Sequence, residues 1–135
     1  PHWLQYEAAG NIIVHGFMDT YSPEFYDLTR SCVAVISPSC FENGGGAVVH
    51  CLHHGLLPLL TRTVGLDIHH VLPSLDGQTD AELINAIRSR CNEVSQMSEA
   101  ELEDLRYAFW EYARTYHTRD SFSQSLSRVL DELVG

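Results

Sequence analysis

The hydrophobic pattern changes period near residue 78, and that change constrains the fold more than any other feature of the chain. Before it, apolar residues come in short unbroken runs: Asn11 to Phe17 (NIIVHGF), Cys32 to Ile36 (CVAVI) and Leu56 to Thr61 (LLPLLT). Short apolar runs bounded by Gly, Ser or Pro predict buried strands, and the first two are rich in β-branched residues. Strands that are apolar throughout belong to sheets covered by helices on both faces. After the change, apolar residues recur at three- and four-residue spacing, the period of a helix with one buried face.

Local signals place the helices. Ser22-Pro23-Glu24 combines a cap, a proline at the first helical position and an acidic first turn. It predicts a helix to about Ser31 with Phe25, Leu28 and Thr29 inward. Ala47 to His54 reads as a short helix stopped by Gly55. Pro58 removes a ladder donor from the third apolar run and fits best at that strand's start, and Val71 to Leu75 is a weak fourth strand. Thr79-x-x-Glu82 and Ser98-x-x-Glu101 are capping boxes. The first opens a helix with Leu83, Ile84, Ile87, Cys91 and Val94 on one face, the second a helix with Leu102, Leu105, Phe109, Tyr112 and Tyr116. A last helix, about Ser121 to Val134, is expected to bury Phe122, Leu126, Val129, Leu130 and Leu133.

The order β-α-β-loop-α-β-β, followed by three helices, predicts a single α/β domain over residues 1–135: an open parallel sheet flanked by helices in 1–78 and a helical segment in 79–135. Ligands in such sheets sit beyond the carboxyl ends of the strands. That rule selects three loops: Gly16 to Tyr21, Pro38 to Gly46 and Arg62 to His70.

Charge narrows the partners. The chain has 18 Asp and Glu against 8 basic residues, a formal charge of −10, and every basic residue is Arg. Such a surface repels phosphate backbones and anionic headgroups, which disfavours nucleic-acid and membrane-surface binding. No apolar stretch approaches the roughly 18 residues of a membrane span. The chain starts at Pro1 with no basic-then-apolar leader, and it is expected to be cut from a longer polypeptide. Cys32, Cys40, Cys51 and Cys91 form no CxxC pair, so reduced thiols in a cytoplasmic setting are expected.

The segment from Ser37 to Gly55 carries the chemistry (SPSCFENGGGAVVHCLHHG). It places Glu42 and then Gly44, Gly45 and Gly46 between a strand and a helix start. Bare backbone amides at a helix N-terminus attract an anion, and glycines let a ligand come close. There is neither a GK[ST] nor a GxGxxG here. A carboxylate beside an anion site is suited to accept hydrogen bonds from hydroxyls, and a polyol joined to a phosphate describes a sugar phosphate or nucleotide sugar. The alternatives are a tight turn without a ligand and a Glu42 that only caps the following helix.

The ordered set NIIVHGFM, EFYDLTRSCVAVISPSCFENGGGAVVHCLHHGLLPLL and GLD, spanning about residues 11–76, resembles the nucleotide-binding half of GT-B glycosyltransferases of the group 1 (family 4) type. The most specific part is PS-x-x-E-x-x-G-x-x-V. The resemblance implies a Rossmann-like sheet forming part of the C-terminal half of a GT-B fold. It also implies transfer of a hexose from a nucleotide-diphosphate sugar, without metal or other cofactor, to a carbohydrate, lipid or protein acceptor held by an N-terminal domain outside this chain. Glu42 would hold hydroxyls of the transferred sugar and be the catalytic-site carboxylate. The amides of Gly44, Gly45 and Gly46 would face that sugar and the diphosphate. Gly16 would lie where the first strand's loop approaches the donor. His50 stands where the family has a second Glu that grips the ribose, and Gly55-Leu-Leu-Pro58 is one residue longer than the family's Gly-x-Pro. A neutral imidazole can bond one ribose hydroxyl but cannot accept two. The alternative function is therefore a degenerate GT-B-like module that binds without catalysis.

Other clusters read as structural. His50, His53 and His54 have spacing that can share a metal, but HExxH is absent, and His53 and His54 are expected at the polar end of a surface helix. His69 and His70 are expected in a loop. The series Tyr107, Phe109, Trp110, Tyr112 and Tyr116 reads as core or docking surface, and Glu99, Glu101, Glu103 and Asp104 as a solvated first turn.

Overall fold

The computed structural model describes residues 8, 10–42, 45–68, 71–77 and 79–134. In chain order these form α1 (Pro23–Arg30), β1 (Ala34–Ser37), α2 (Gly46–His53), β2 (Leu57–Leu60), a 3-10 turn (Arg62–Val64), α3 (Asp80–Gln96), α4 (Glu99–Tyr116) and α5 (Arg119–Val134). The class is α/β, with a two-stranded parallel sheet and a helical C-terminal part among the described residues.

β1 and β2 run parallel, Ala34 opposite Leu57 and Ser37 opposite Leu60, with α2 as the crossover. Pro58 is the second residue of β2 and pairs with Val35. The Leu57 N–H donates to the Val33 carbonyl at 2.9 Å and the Thr61 N–H to the Ser37 carbonyl at 3.4 Å. The alternation turns the Pro58 nitrogen to the outer edge, where no ladder donor is missed.

α2 closes with the hydrogen bonds of a Schellman motif: the Leu56 N–H donates to the Cys51 carbonyl and the Gly55 N–H to that of Leu52. Gly55 takes φ 75, which the motif requires. Both long helices carry the expected capping boxes, Thr79 with Glu82 and Ser98 with Glu101. Ser22 caps α1 by accepting from the Phe25 N–H at 3.2 Å. α4 packs on α2 and β2. Its Phe109 is 1% exposed and joins Leu52, Leu57, Leu60, Val64 and Ile68 in the core. The Arg106 guanidinium donates to the Gly55 carbonyl at 2.8 Å, tying α4 to the turn before β2.

Four expectations are corrected. Asn11 to Phe17 forms no strand: Ile13 is 78% exposed and Phe17 99%. No neighbouring strand among the described residues offers it a ladder, and a lone strand leaves its polar groups unpaired. β1 is half-buried rather than covered on both faces, because helices of the described chain shield only part of it. Val71 to Leu75 is not a strand; one bond from the Leu75 N–H to the Leu60 carbonyl (2.7 Å) is what joins it to the end of β2. α5 buries none of its residues, leaving Phe122 67% and Leu133 77% exposed, and among the described elements its main contact is with α4. The surface of 9711 Å² accordingly exceeds the roughly 7,100 Å² of a compact monomer of this mass.

Candidate functional site at the strand exits

The carboxyl ends of β1 and β2 are stitched together by hydroxyls. The Ser39 carbonyl, two residues past β1, accepts from Thr61 Oγ1 at 2.6 Å and from Thr63 Oγ1 by a short hydrogen bond. Between those threonines, Arg62 Nε donates to Ser74 Oγ at 3.2 Å and pairs with Asp76 Oδ1 at 3.6 Å. Both ion-pair partners are largely exposed, so the pair is weak and easily displaced. A cavity of about 300 Å³ opens among Ser39, Cys40, Thr61, Arg62, Thr63 and Asp76.

Gly45 brings α2 against Val64 and Leu66, in the turn that follows β2. It is the N-cap of α2 in the left-handed region (φ 57), and no side chain caps the helix there. A Cβ on Gly45 would lie 2.9 Å from Val64 Cγ1, so glycine is needed both for the backbone angle and for the close approach of the 62–66 turn. Gly46, the first helical residue, has open space where its Cβ would be. Gly44 lies outside the described residues. Glu42 is exposed in the loop that leads from β1 to Gly45.

The other predicted residues lie along α2 and the first loop. The half-buried His50 meets the Tyr21 ring edge-on at 5.0 Å, which joins α2 to the Gly16 to Tyr21 loop. Gly16 itself is exposed at φ 71 beside a hollow of about 450 Å³ lined by His15, Phe17, Met18, Asp19, Ser22 and Glu24. The structure thus joins Ser39 to the 61–63 turn, and the Gly16 to Tyr21 loop to α2 through Tyr21 and His50. The cavity at the strand exits is lined from residues 38–40, 61–63, 75–77 and Leu83, and Gly16, Glu42, Gly45, Gly46 and His50 do not line it.

Sequence reasoning missed Thr61, Arg62 and Thr63 as individual residues. The strand-exit rule reaches Arg62 and Thr63 but leaves Thr61 in the preceding strand, and no local motif marks any of the three. It also misplaced two histidines. His54 is not a solvated helix end: its Nδ1 lies 2.6 Å from Thr29 Oγ1, and Phe25 and Tyr26 pack edge-on against its ring. Burial, then the nearby His50 and His53, push its pKa below the ordinary imidazole value. His53 Nε2 reaches the His117 carbonyl at 3.0 Å, and His117 is likewise pushed down, by burial and then by His53. These contacts pin α1 and the α4–α5 junction to the end of α2. Burial, with Cys32 adding, raises the Cys51 thiol pKa, which disfavours a reactive thiolate.

Among the described residues no three His, Cys, Asp or Glu side chains converge to hold a metal ion; His69 and His70 lie outside them. No helix among those residues is long and apolar enough to cross a membrane. No family model matches the chain, and neither a curated protein nor a solved structure matches it.

Proposed function

We propose that the chain is the donor-binding half of a GT-B-type glycosyltransferase, gripping a nucleotide-diphosphate hexose at the exits of β1 and β2. The reading rests on the sequence resemblance and is supported by one observation above others. A parallel strand leads into a helix that starts on an uncapped glycine, Gly45, pressed against the turn that follows the neighbouring strand. Donors at such a helix start favour an anion. In this reading Glu42 accepts hydroxyls of the sugar, and the Gly44, Gly45 and Gly46 amides face the sugar and diphosphate. His50 bonds a ribose hydroxyl, and Gly16 approaches the donor. Thr63 and Arg62 add a hydroxyl and a cation beside the same strand exits.

The sheet would be completed by strands from the rest of the polypeptide, which would also cover the Asn11 to Phe17 segment. The exposed apolar residues of that segment and of α5 fit such a covering. The acceptor, whether carbohydrate, lipid or protein, would be held by the companion domain. Catalysis in such a cleft consists of orienting the donor and stabilising the departing diphosphate, and no metal or cofactor is called on.

The second reading, a binding module without catalysis, is favoured by His50. Its ring is held against Tyr21 and can accept only one hydrogen bond where a carboxylate accepts more. Sugar transfer from UDP-glucose and GDP-mannose by the full-length polypeptide, with and without Glu42→Gln, separates the two. Turnover lost in the variant supports the enzyme; binding without turnover supports the module; unchanged turnover in Glu42→Gln removes the proposed role of Glu42.

A further inference from the structure

Two adjoining hollows lie away from the strand exits, between the loop around Asp67 and Ile68 and the C-terminal half of α4. One, about 320 Å³, is lined by Asp67, Tyr112, Tyr116 and His117. The other, about 280 Å³, shares Tyr112 and Tyr116 and adds an apolar floor of Ile68 and Phe109, each 1% exposed, with Glu111 at its rim. The two tyrosine rings pack at 5.2 Å and 46°.

We infer that this cleft binds a small organic cation, a protonated amine or guanidinium carried on a short apolar body. Tyr112, packed between Tyr116 and His117, and the more exposed Tyr116 line both hollows and attract a cation through their ring quadrupoles, the floor takes an apolar stem, and Asp67 and Glu111 supply countercharge. No arginine lines either hollow among the described residues. The nearest one along α4, Arg114, is already stacked 4.5 Å over Trp110. His117 does not compete at neutral pH: burial holds it below the ordinary imidazole value, and its Nε2 lies 3.2 Å from the Tyr112 hydroxyl. Asp67 lies beside the same phenol across the larger hollow, where burial raises the Tyr112 pKa. The chain's formal charge of −10 draws cations toward the cleft from a distance.

The test is a titration of the full chain with n-butylammonium, followed by amide chemical shifts, against n-butanol as the uncharged match. Saturable shifts at Asp67, Tyr112 and Tyr116 are expected, about fivefold tighter for the ammonium than for the alcohol. Asp67→Asn, which keeps the side chain's size and removes its charge, is expected to weaken the ammonium about threefold to fivefold without changing the melting temperature. Tyr116→Ala weakens it similarly. Equal affinity for butanol, an unchanged Asp67→Asn, or no saturable shift overturns the inference. Agmatine against a blocked Gly-Arg-Gly peptide then separates the two sources of the chemistry: tighter agmatine indicates a free amine, a tighter peptide an arginine of a partner protein.

Discussion

The β1–α2–β2 unit and the two flanks of the chain are built from similarly apolar sequence, yet they end in opposite environments. Leu57, Pro58, Leu59 and Leu60 are all buried, whereas Ile12, Ile13, Phe17 and the apolar stripe of α5 face solvent. The difference lies in neighbours. β2 has a ladder partner in β1 and a lid in α4; Asn11 to Phe17 has no paired strand among the described residues, and the main contact of α5 there is with α4. An apolar run specifies that a segment should be covered, but the cover must come from another element.

The comparison breaks most visibly at the two phenylalanines. Phe109→Ala is expected to cost about 3–5 kcal/mol in chemical denaturation, because it opens a cavity in a closed core. Phe122→Ala is expected to stay within about 0.5 kcal/mol, as for other exposed positions. A comparable loss at both would mean that α5 is packed in solution. Next in size are the loop glycines. Gly45→Ala combines a left-handed backbone with the Val64 contact and is expected to destabilise by about 2 kcal/mol. Gly46→Ala meets open space and should change stability by less than about 0.5 kcal/mol. Similar effects for the two would undo the close approach of α2 to the 62–66 turn.

Capping comes third. Ser98→Ala is expected to cost about 1 kcal/mol, read as a lower denaturation midpoint. The Glu101 carboxyl is held below its ordinary range by hydrogen bonds from the Ser98 side chain and backbone. Its contribution is therefore present above the ordinary carboxylate pKa and is lost as pH falls through the lowered value. The histidines give the smallest and most pH-specific effect. His54 and His117 are lowered in the fold, so the unfolded chain binds their protons first. Stability is full above pH of about 6.5 and declines as pH drops below it toward the folded values. A melting temperature that falls from pH 7.5 to 5.5, with a smaller fall in His54→Gln, is the expected record; a flat profile would contradict the contacts to Thr29, Phe25 and Tyr26.

What was legible in the sequence was local. Ser22-Pro23, the two capping boxes and Gly55 each act within a few residues of their own backbone, and the helices they bound appear where expected. What was not legible depends on contacts distant in sequence: whether Asn11 to Phe17 finds a ladder, whether α5 finds a lid, and which way Pro58 turns its nitrogen. The site divides in the same way. Gly45 could be read from its place between strand and helix, while the stitching of Ser39 by Thr61 and Thr63 needed the two strand exits to be seen side by side. His53 and His54 looked like a polar helix end because their partners, His117 and Thr29, lie 64 and 25 residues away.

Calorimetric titration of the full-length polypeptide with UDP-glucose, GDP-mannose and the corresponding nucleoside diphosphates bears most directly on the proposed donor binding. Glu42 is assigned to the sugar alone, so Glu42→Gln should weaken one of the two sugar nucleotides about tenfold while leaving its bare diphosphate within about twofold. Heat from none of the four ligands, or an equal loss for sugar nucleotide and bare diphosphate, would contradict that assignment.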